Sequence, residues 1–226
     1  MAALVIAGEA VFSLPFHVTR FFRPTVLGVF DLTNTELGAA QAVYGVVAML
    51  AYFPGGPLAD RFPARRLITA SLLLTSLGGI YFATFPPDRG LWLLFAFWGL
   101  TTIFLCWAAL IRATREWGEE DEQGLAFGIL DGGRGLFAAL LAAAAVLLFE
   151  KMLPLDPNLA TELQRARALR AVIYLYSGVT AAAGVLAWSL IGEPAIQMRP
   201  STSLWRHLGS VVRLPRVWLQ ALIVVC

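Results

Sequence analysis

Apolar residues come in long blocks along this chain, and polar residues gather in short stretches between them. The blocks run from Ala3 to Val29, Leu37 to Pro57, Leu67 to Phe85, Leu91 to Ile111, Gly124 to Phe149 and Arg170 to Ile191. About 20 such residues in a helix cross a hydrocarbon core of about 30 Å. The pattern predicts an all-α integral membrane protein, with six spanning helices bundled over residues 1–192. A polar, basic stretch at 193–215 reads as a cytoplasmic linker. A further apolar block begins at Arg216 and stops at Cys226. At 1.5 Å per residue it is too short to cross the core, so it reads as the truncated start of a seventh helix at 216–226. Pro86 and Pro87 end the third block at a tight turn. The longer connection PLDPNLATELQRARALR is expected to hold a short amphipathic helix at the outer surface.

Composition agrees with the pattern. Hydrophobic residues make up 58% of the chain and charged residues 14%, where a soluble domain has about a quarter charged. The lipid bilayer is therefore the first expected partner. A net charge of +2, with no basic run interleaved with aromatics, argues against nucleic acid. Every basic residue except Lys151 is Arg. A GC-rich genome explains that bias before any preference for the planar guanidinium does. Cys106 lies inside one apolar block and Cys226 ends another, so no disulfide is expected. No CxxC, HExxH or His/Cys cluster suggests a metal, and no cofactor is implied. The first block has no basic leader and no small-residue cleavage site, and reads as a spanning helix rather than a signal peptide.

The loops suggest an orientation. With the N-terminus in the cytoplasm, the inner connections carry nine basic residues: Arg61, Arg65, Arg66, Arg112, Arg115, Arg199, Arg206, Arg213 and Arg216. The outer ones carry five: Arg89, Lys151, Arg165, Arg167 and Arg170. The excess of Arg and Lys on cytoplasmic loops favours this orientation, with the bacterial inner membrane as the expected location.

Between the second and third blocks stands GPLADRFPARR, Gly56 to Arg66. It closely resembles the loop 2–3 signature of the major facilitator superfamily, G-x-L-a-D-r-x-G-r-r. Gly56, Leu58, Ala59, Asp60, Arg61, Arg65 and Arg66 match; Pro63 replaces the usual second glycine and Ala64 a usual basic residue. The resemblance implies the N-terminal half of a twelve-helix transporter, with a second six-helix half as partner and a small-molecule solute as cargo. It also implies that this loop clasps the two halves together in the outward-facing state. Gly56 is expected to permit close helix approach. Asp60 is expected to pair with an arginine or face the positive N-terminus of a neighbouring helix. Arg61, Arg65, Arg66 and Arg112 complete the expected cytoplasmic gate. Within the superfamily, the first helix most resembles the organophosphate and sugar-phosphate permease branch, in which an arginine of helix one faces the substrate.

That first helix carries Glu9, Ser13, His17, Arg20 and Arg23 at spacings of three and four, which share a helix face. Charged residues inside the bilayer usually face a bundle interior or an aqueous cavity. Arg20 is the expected anion-binding residue, through charge-assisted hydrogen bonds. His17 is a second donor, a proton carrier or a satisfied buried histidine. Glu9 is a proton site or a structural partner for another helix. Arg23, just before Pro24, either binds substrate or anchors the helix at the outer interface. Pro15 and Pro24 are expected to bend the helix.

In the fourth block, Trp98, Thr101, Thr102 and Leu105 recur at helical spacing and could face the cavity, with Trp98 and Thr102 as substrate-binding candidates. Trp98 and Trp107 are equally readable as packing residues. Glu116, Glu119, Glu120, Asp121 and Glu122 read as a solvated loop. In the fifth block, Asp131 and Arg134 stand at i,i+3 and can pair. They are assigned to the cytoplasmic gate, with Gly128, Gly132, Gly133 and Gly135 suited to close helix packing. The glycines lack the proline that accompanies them in drug/proton antiporters.

No phosphate-binding loop of a primary pump and no nucleophile–base pair of an enzyme occurs. The functional expectation is a secondary transporter working by alternating access, for a small anionic solute, by proton symport or anion exchange. An uncoupled or drug-type facilitator and a transporter-like solute sensor are the alternatives.

Overall fold

The computed structural model describes residues 1–118, 120–156, 159–192 and Pro215. Two units divide the chain, Met1–Pro194 and Ala195–Cys226. Apart from Pro215, the linker expected at 193–215 and the helix start expected at 216–226 lie outside the described residues. Among the described residues all regular structure is helical.

The helices are α1 (Ala2–Phe21), α2 (Arg23–Phe30), α3 (Asn34–Arg61), α4 (Ala64–Phe82), α5 (Asp88–Trp117), α6 (Gln123–Lys151) and α7 (Glu162–Leu190). The first predicted span is thus broken. Phe22 leaves helical geometry at φ −113° and ψ 26°, and Pro24 sits in the first turn of α2, where its missing N–H costs nothing. α2 ends at Asp31, which adopts the left-handed conformation with φ 53°.

Among the described residues, five helices are long and apolar enough to cross a membrane: α1, α3, α5, α6 and α7. The third predicted span, α4, does not reach that measure. It begins with Arg65 and Arg66, and its buried side includes Ser71, Thr75, Ser76, Gly78 and Gly79. These small residues serve packing. Ser71 Oγ donates to the Thr101 carbonyl of α5 at 2.7 Å, and Ser76 Oγ to the Ser177 carbonyl of α7 at 2.8 Å. α4 therefore runs within the bundle, bonded to a helix on either side.

Two ends differ from expectation. α3 continues past Pro54 and Pro57 to Arg61. Among the described residues no separate amphipathic helix precedes the last span, because a capping box starts α7 early. Thr161 accepts from the Gln164 N–H at 3.3 Å, and Gln164 accepts from the Thr161 N–H at 2.9 Å. A single helix of 29 residues then includes Arg165, Arg167 and Arg170.

α4 and α7 pack along much of their length, α3 lies along α5, and α1 is held by α6 and α7. Tyr44, Phe82, Phe95, Trp98 and Tyr176 lie in one core, and Leu4, Ile68, Leu72 and Leu110 in a second. Gly99 makes the α3–α5 crossing tight: a Cβ there would lie 2.7 Å from the Tyr44 carbonyl oxygen. Gly55 likewise faces the Phe104 carbonyl at 3.3 Å. Gly56, the glycine of the loop signature, would meet nothing within 4 Å. The close approach expected of Gly56 thus belongs to its neighbour.

Candidate functional site: a charged cluster between the first and fifth spans

The chemistry centres on a local irregularity. Ser13–His17 is a π-helical turn within α1, with Pro15 inside it. Glu9 and His17 are eight residues apart, which an ideal α-helix would leave about 80° apart around its axis. The wider π turn takes up most of that offset. His17 Nε2 lies 3.0 Å from Glu9 Oε1. The same turn divides the stripe predicted along this helix. Ser13 points away from the cluster: its Oγ donates to the Ala10 carbonyl at 2.7 Å and lies 3.3 Å from Thr180 Oγ1 on α7.

The other Glu9 oxygen, Oε2, lies 3.3 Å from Arg134 Nε on α6. Arg134 Nη1 donates to Asp131 Oδ1 at 3.3 Å. The guanidinium also sits 5.7 Å from the Phe12 ring centroid and 5.6 Å from that of Trp107, within cation–π range. Glu9 is 8% exposed. A carboxylate buried to that degree is costly without polar partners, and Arg134 and His17 both approach it. Asp131 keeps 70% of its side chain exposed and is the weaker partner. Among the described residues no group of His, Cys, Asp and Glu converges as a metal site would.

Arg134 was assigned to the cytoplasmic gate from its sequence neighbour Asp131. It lies about three turns into α6, near mid-helix, and meets α1 rather than the loop signature. Of the four glycines beside it, only Gly133 makes a close approach, 2.8 Å from Val5 Cγ1 for an added Cβ; Gly128, Gly132 and Gly135 meet nothing within 4 Å. Sequence reasoning missed the Glu9–Arg134 pair. The signal was available: opposite charges within two apolar helices are expected to find each other.

The remaining substrate candidates fall in three places. Arg20 is exposed, with its guanidinium 5.9 Å from the Phe21 ring centroid. Arg23 donates from Nε to Asn34 Oδ1 at 2.8 Å, fastening α2 to the start of α3. Trp98 and Thr102 do not line a cavity. Trp98 is fully buried, donates to the Thr75 carbonyl at 3.1 Å and packs edge-on against Phe82 and Phe95. Thr102 is fully buried and shares a 2.7 Å hydrogen bond with Tyr44. Both residues join helices. Phe12, Phe16 and Trp107 are the half-buried aromatics beside the charged cluster.

At the loop signature, Asp60, Arg61 and Arg66 are exposed. Arg112 of α5 pairs with Glu116 at 2.8 Å and donates from Nη1 to the Ala59 carbonyl. A cation at these carbonyls complements the negative end of the α3 dipole. Arg65 instead stacks on Trp188 of α7. A cleft of about 390 Å³ opens among Met1, Leu4, Ala64, Trp117 and Ile191, and contains none of the substrate candidates.

A loop with the facilitator signature, at the end of one helix and held by an arginine from another, and a separate charged cluster between two helices belong to one all-helical bundle. The profile of the Major Facilitator Superfamily matches residues 5–226. The chain belongs to that superfamily. It is 29% identical over 196 residues to inner membrane protein YqcE of Escherichia coli strain K12, covering 85% of this chain and 43% of that protein. It is 25% identical over 224 residues to inner membrane protein YihN of the same strain, covering 96% of this chain and 51% of that protein. The chain thus spans about half the length of these facilitator relatives. No solved structure matches it. As a facilitator with several apolar spans, it is a multi-pass protein of the inner membrane, as those relatives are.

Proposed function

We propose that this chain forms the N-terminal half of an alternating-access secondary transporter for a small anionic solute, driven by proton symport or anion exchange. The observation carrying the anionic reading is Arg20. Arg134 and His17 both lie against Glu9, and Arg23 is hydrogen-bonded to Asn34. Arg20 is exposed and forms no ion pair among the described residues. An arginine with no acidic partner, where the neighbouring arginines have polar partners, suits a carboxylate or phosphate solute. Glu9 and His17 are the proposed coupling residues, because protonation of either changes the charge facing Arg134. Asp60, Arg61, Arg66 and Arg112 form the proposed gate, which would close against the second half of the parent protein.

A drug-type facilitator is the second reading, favoured by the half-buried Phe12, Phe16 and Trp107 beside the cluster. Binding of phosphate esters, carboxylates and hydrophobic cations to the purified full-length parent separates the two. Arg20→Gln is expected to weaken binding of the preferred anion by at least about tenfold, the loss of one charge-assisted hydrogen bond. Arg20→Lys restores part of it, because the planar fork is gone, and Arg23→Gln costs less. Unchanged anion affinity in Arg20→Gln, or a preference for hydrophobic cations, removes the anionic reading.

A further inference from the structure

We propose that Arg65 and Trp188 form a binding site for the headgroup of an anionic phospholipid on the outside of the bundle, where the start of α4 meets the end of α7. The Arg65 guanidinium lies 4.3 Å from the Trp188 ring centroid. Stacking at that distance holds a flexible side chain in one orientation and leaves its planar fork free to meet a phosphodiester. Its Nε is buried and has no hydrogen-bond partner within the protein. The buried Nε is out of a lipid's reach, so the terminal nitrogens of Arg65 make the contact, and no carboxylate among the described residues pairs with it.

The platform beneath this pair is rigid. Thr69 Oγ1 donates to the Gly184 carbonyl at 3.3 Å, and Gly184 admits Leu72 and Leu73 against its backbone. The surrounding surface has the composition of one that meets acyl chains. Leu73, Leu77, Val185, Leu186 and Leu190 are exposed, and Trp188 itself is 46% exposed. Tryptophan half in and half out of an apolar surface is the residue type enriched at headgroup depth. Arg61 and Arg66 stand exposed beside Arg65 at the same helix ends, with Asp60 as the acidic residue next to them. The local charge is thus net positive beneath an apolar wall. The complementary ligand is an amphiphile with a negative headgroup, and basic pockets between spanning helices at the cytoplasmic face take such lipids. The site is independent of transport and of Arg20.

The test uses the full-length parent in nanodiscs of phosphatidylcholine with one quarter phosphatidylglycerol, followed by native mass spectrometry of retained lipid. Wild type is expected to retain phosphatidylglycerol over phosphatidylcholine at about five times their ratio in the mixture, the preference that one basic contact near the surface provides. Arg65→Gln and Trp188→Leu should each bring retention back to the bulk ratio. Arg65→Lys, the mildest change, should keep an intermediate preference and so guards against loss of folding. Arg89→Gln, at the opposite end of the bundle, should leave the preference intact. Equal preference in wild type and Arg65→Gln would overturn the proposal. So would equal loss in Arg89→Gln, or displacement of the lipid by millimolar glycerol 3-phosphate, which would make this a site for soluble anions.

Discussion

At the scale of single residues, the central fact is that Glu9 serves two side chains at once. His17 and Arg134 approach its two oxygens separately, at 3.0 and 3.3 Å. Removing one member of such a cluster leaves a buried charge unpaired, which costs more than the cluster contributes as a whole. Glu9→Gln and Arg134→Gln should therefore each lower thermal stability in detergent, while the double variant should lose less than the two added together. A coupling of about 1 kcal/mol or more is expected, since contacting residues in one network depart from additivity by 0.5–3 kcal/mol. Strict additivity in melts of the four proteins would mean the contact is geometric only. The sequence made both residues suspects, because each is a charge within an apolar block. Their opposite charges hinted at a partnership, but the geometry of it was not legible. It depends on which helices touch, and on a π turn that no periodicity of 3.6 reveals. Trp98 is a different case. Helical spacing left it readable as a cavity or a packing residue, and an indole whose N–H reaches the Thr75 carbonyl is satisfied as a core residue.

At the scale of helices, the apolar pattern was a good guide to existence and a poorer one to ends and breaks. Each predicted block holds a helix, because length and hydropathy demand backbone bonds satisfied internally. The ends moved where local chemistry intervened: the Thr161–Gln164 box lengthened α7, and Phe22 with Pro24 split the first block. Glycines were the least legible feature, because their value depends on what lies opposite. Gly99 and Gly178 make the contrast measurable. A Cβ at Gly99 would meet the Tyr44 carbonyl at 2.7 Å, and backbone cannot move aside as a side chain tip can. Gly178 is exposed on α7 and would meet nothing within 4 Å. Gly99→Ala should thus destabilise the bundle by about 1–3 kcal/mol, the usual cost of overpacking. Gly178→Ala should be neutral or slightly stabilising, since alanine is the better helix former by about 1 kcal/mol. Thermal unfolding monitored by circular dichroism checks both, and equal effects would show that α3 and α5 can separate without cost.

At the scale of the whole molecule, the helix ends sort into two sets, and the sorting fixes what orientation means. Arg112, near the end of α5, donates to the Ala59 carbonyl at the end of α3, so those ends lie together. Arg170, early in α7, donates to the Ala83 carbonyl just past α4 at 3.0 Å and lies 4.7 Å from the Phe85 ring centroid, so those ends lie together as well. α4 begins three residues after α3 ends and carries the chain from the first set to the second. The connections at 62–63 and 118–122 are then on one side, and those at 83–87 and 152–161 on the other. The excess of nine basic residues over five counted along the sequence leads us to expect the first side in the cytoplasm. With that side inside, the Asp60 loop faces the compartment where a gate must close, and Asp60→Asn in the full-length parent should slow uptake while leaving insertion intact; wild-type rates would remove Asp60 from switching. The orientation itself is tested with single cysteines in a Cys106→Ala, Cys226→Ser background. Phe62→Cys and Trp117→Cys should resist an impermeant maleimide in intact cells and react after permeabilisation. Asp88→Cys and Leu155→Cys should react at once, Leu155 being fully exposed. The reverse pattern would invert the molecule, put the signature loop outside and end the reading of it as a cytoplasmic gate. Mixed labelling within one set would instead break the pairing of helix ends that Arg112 and Arg170 establish.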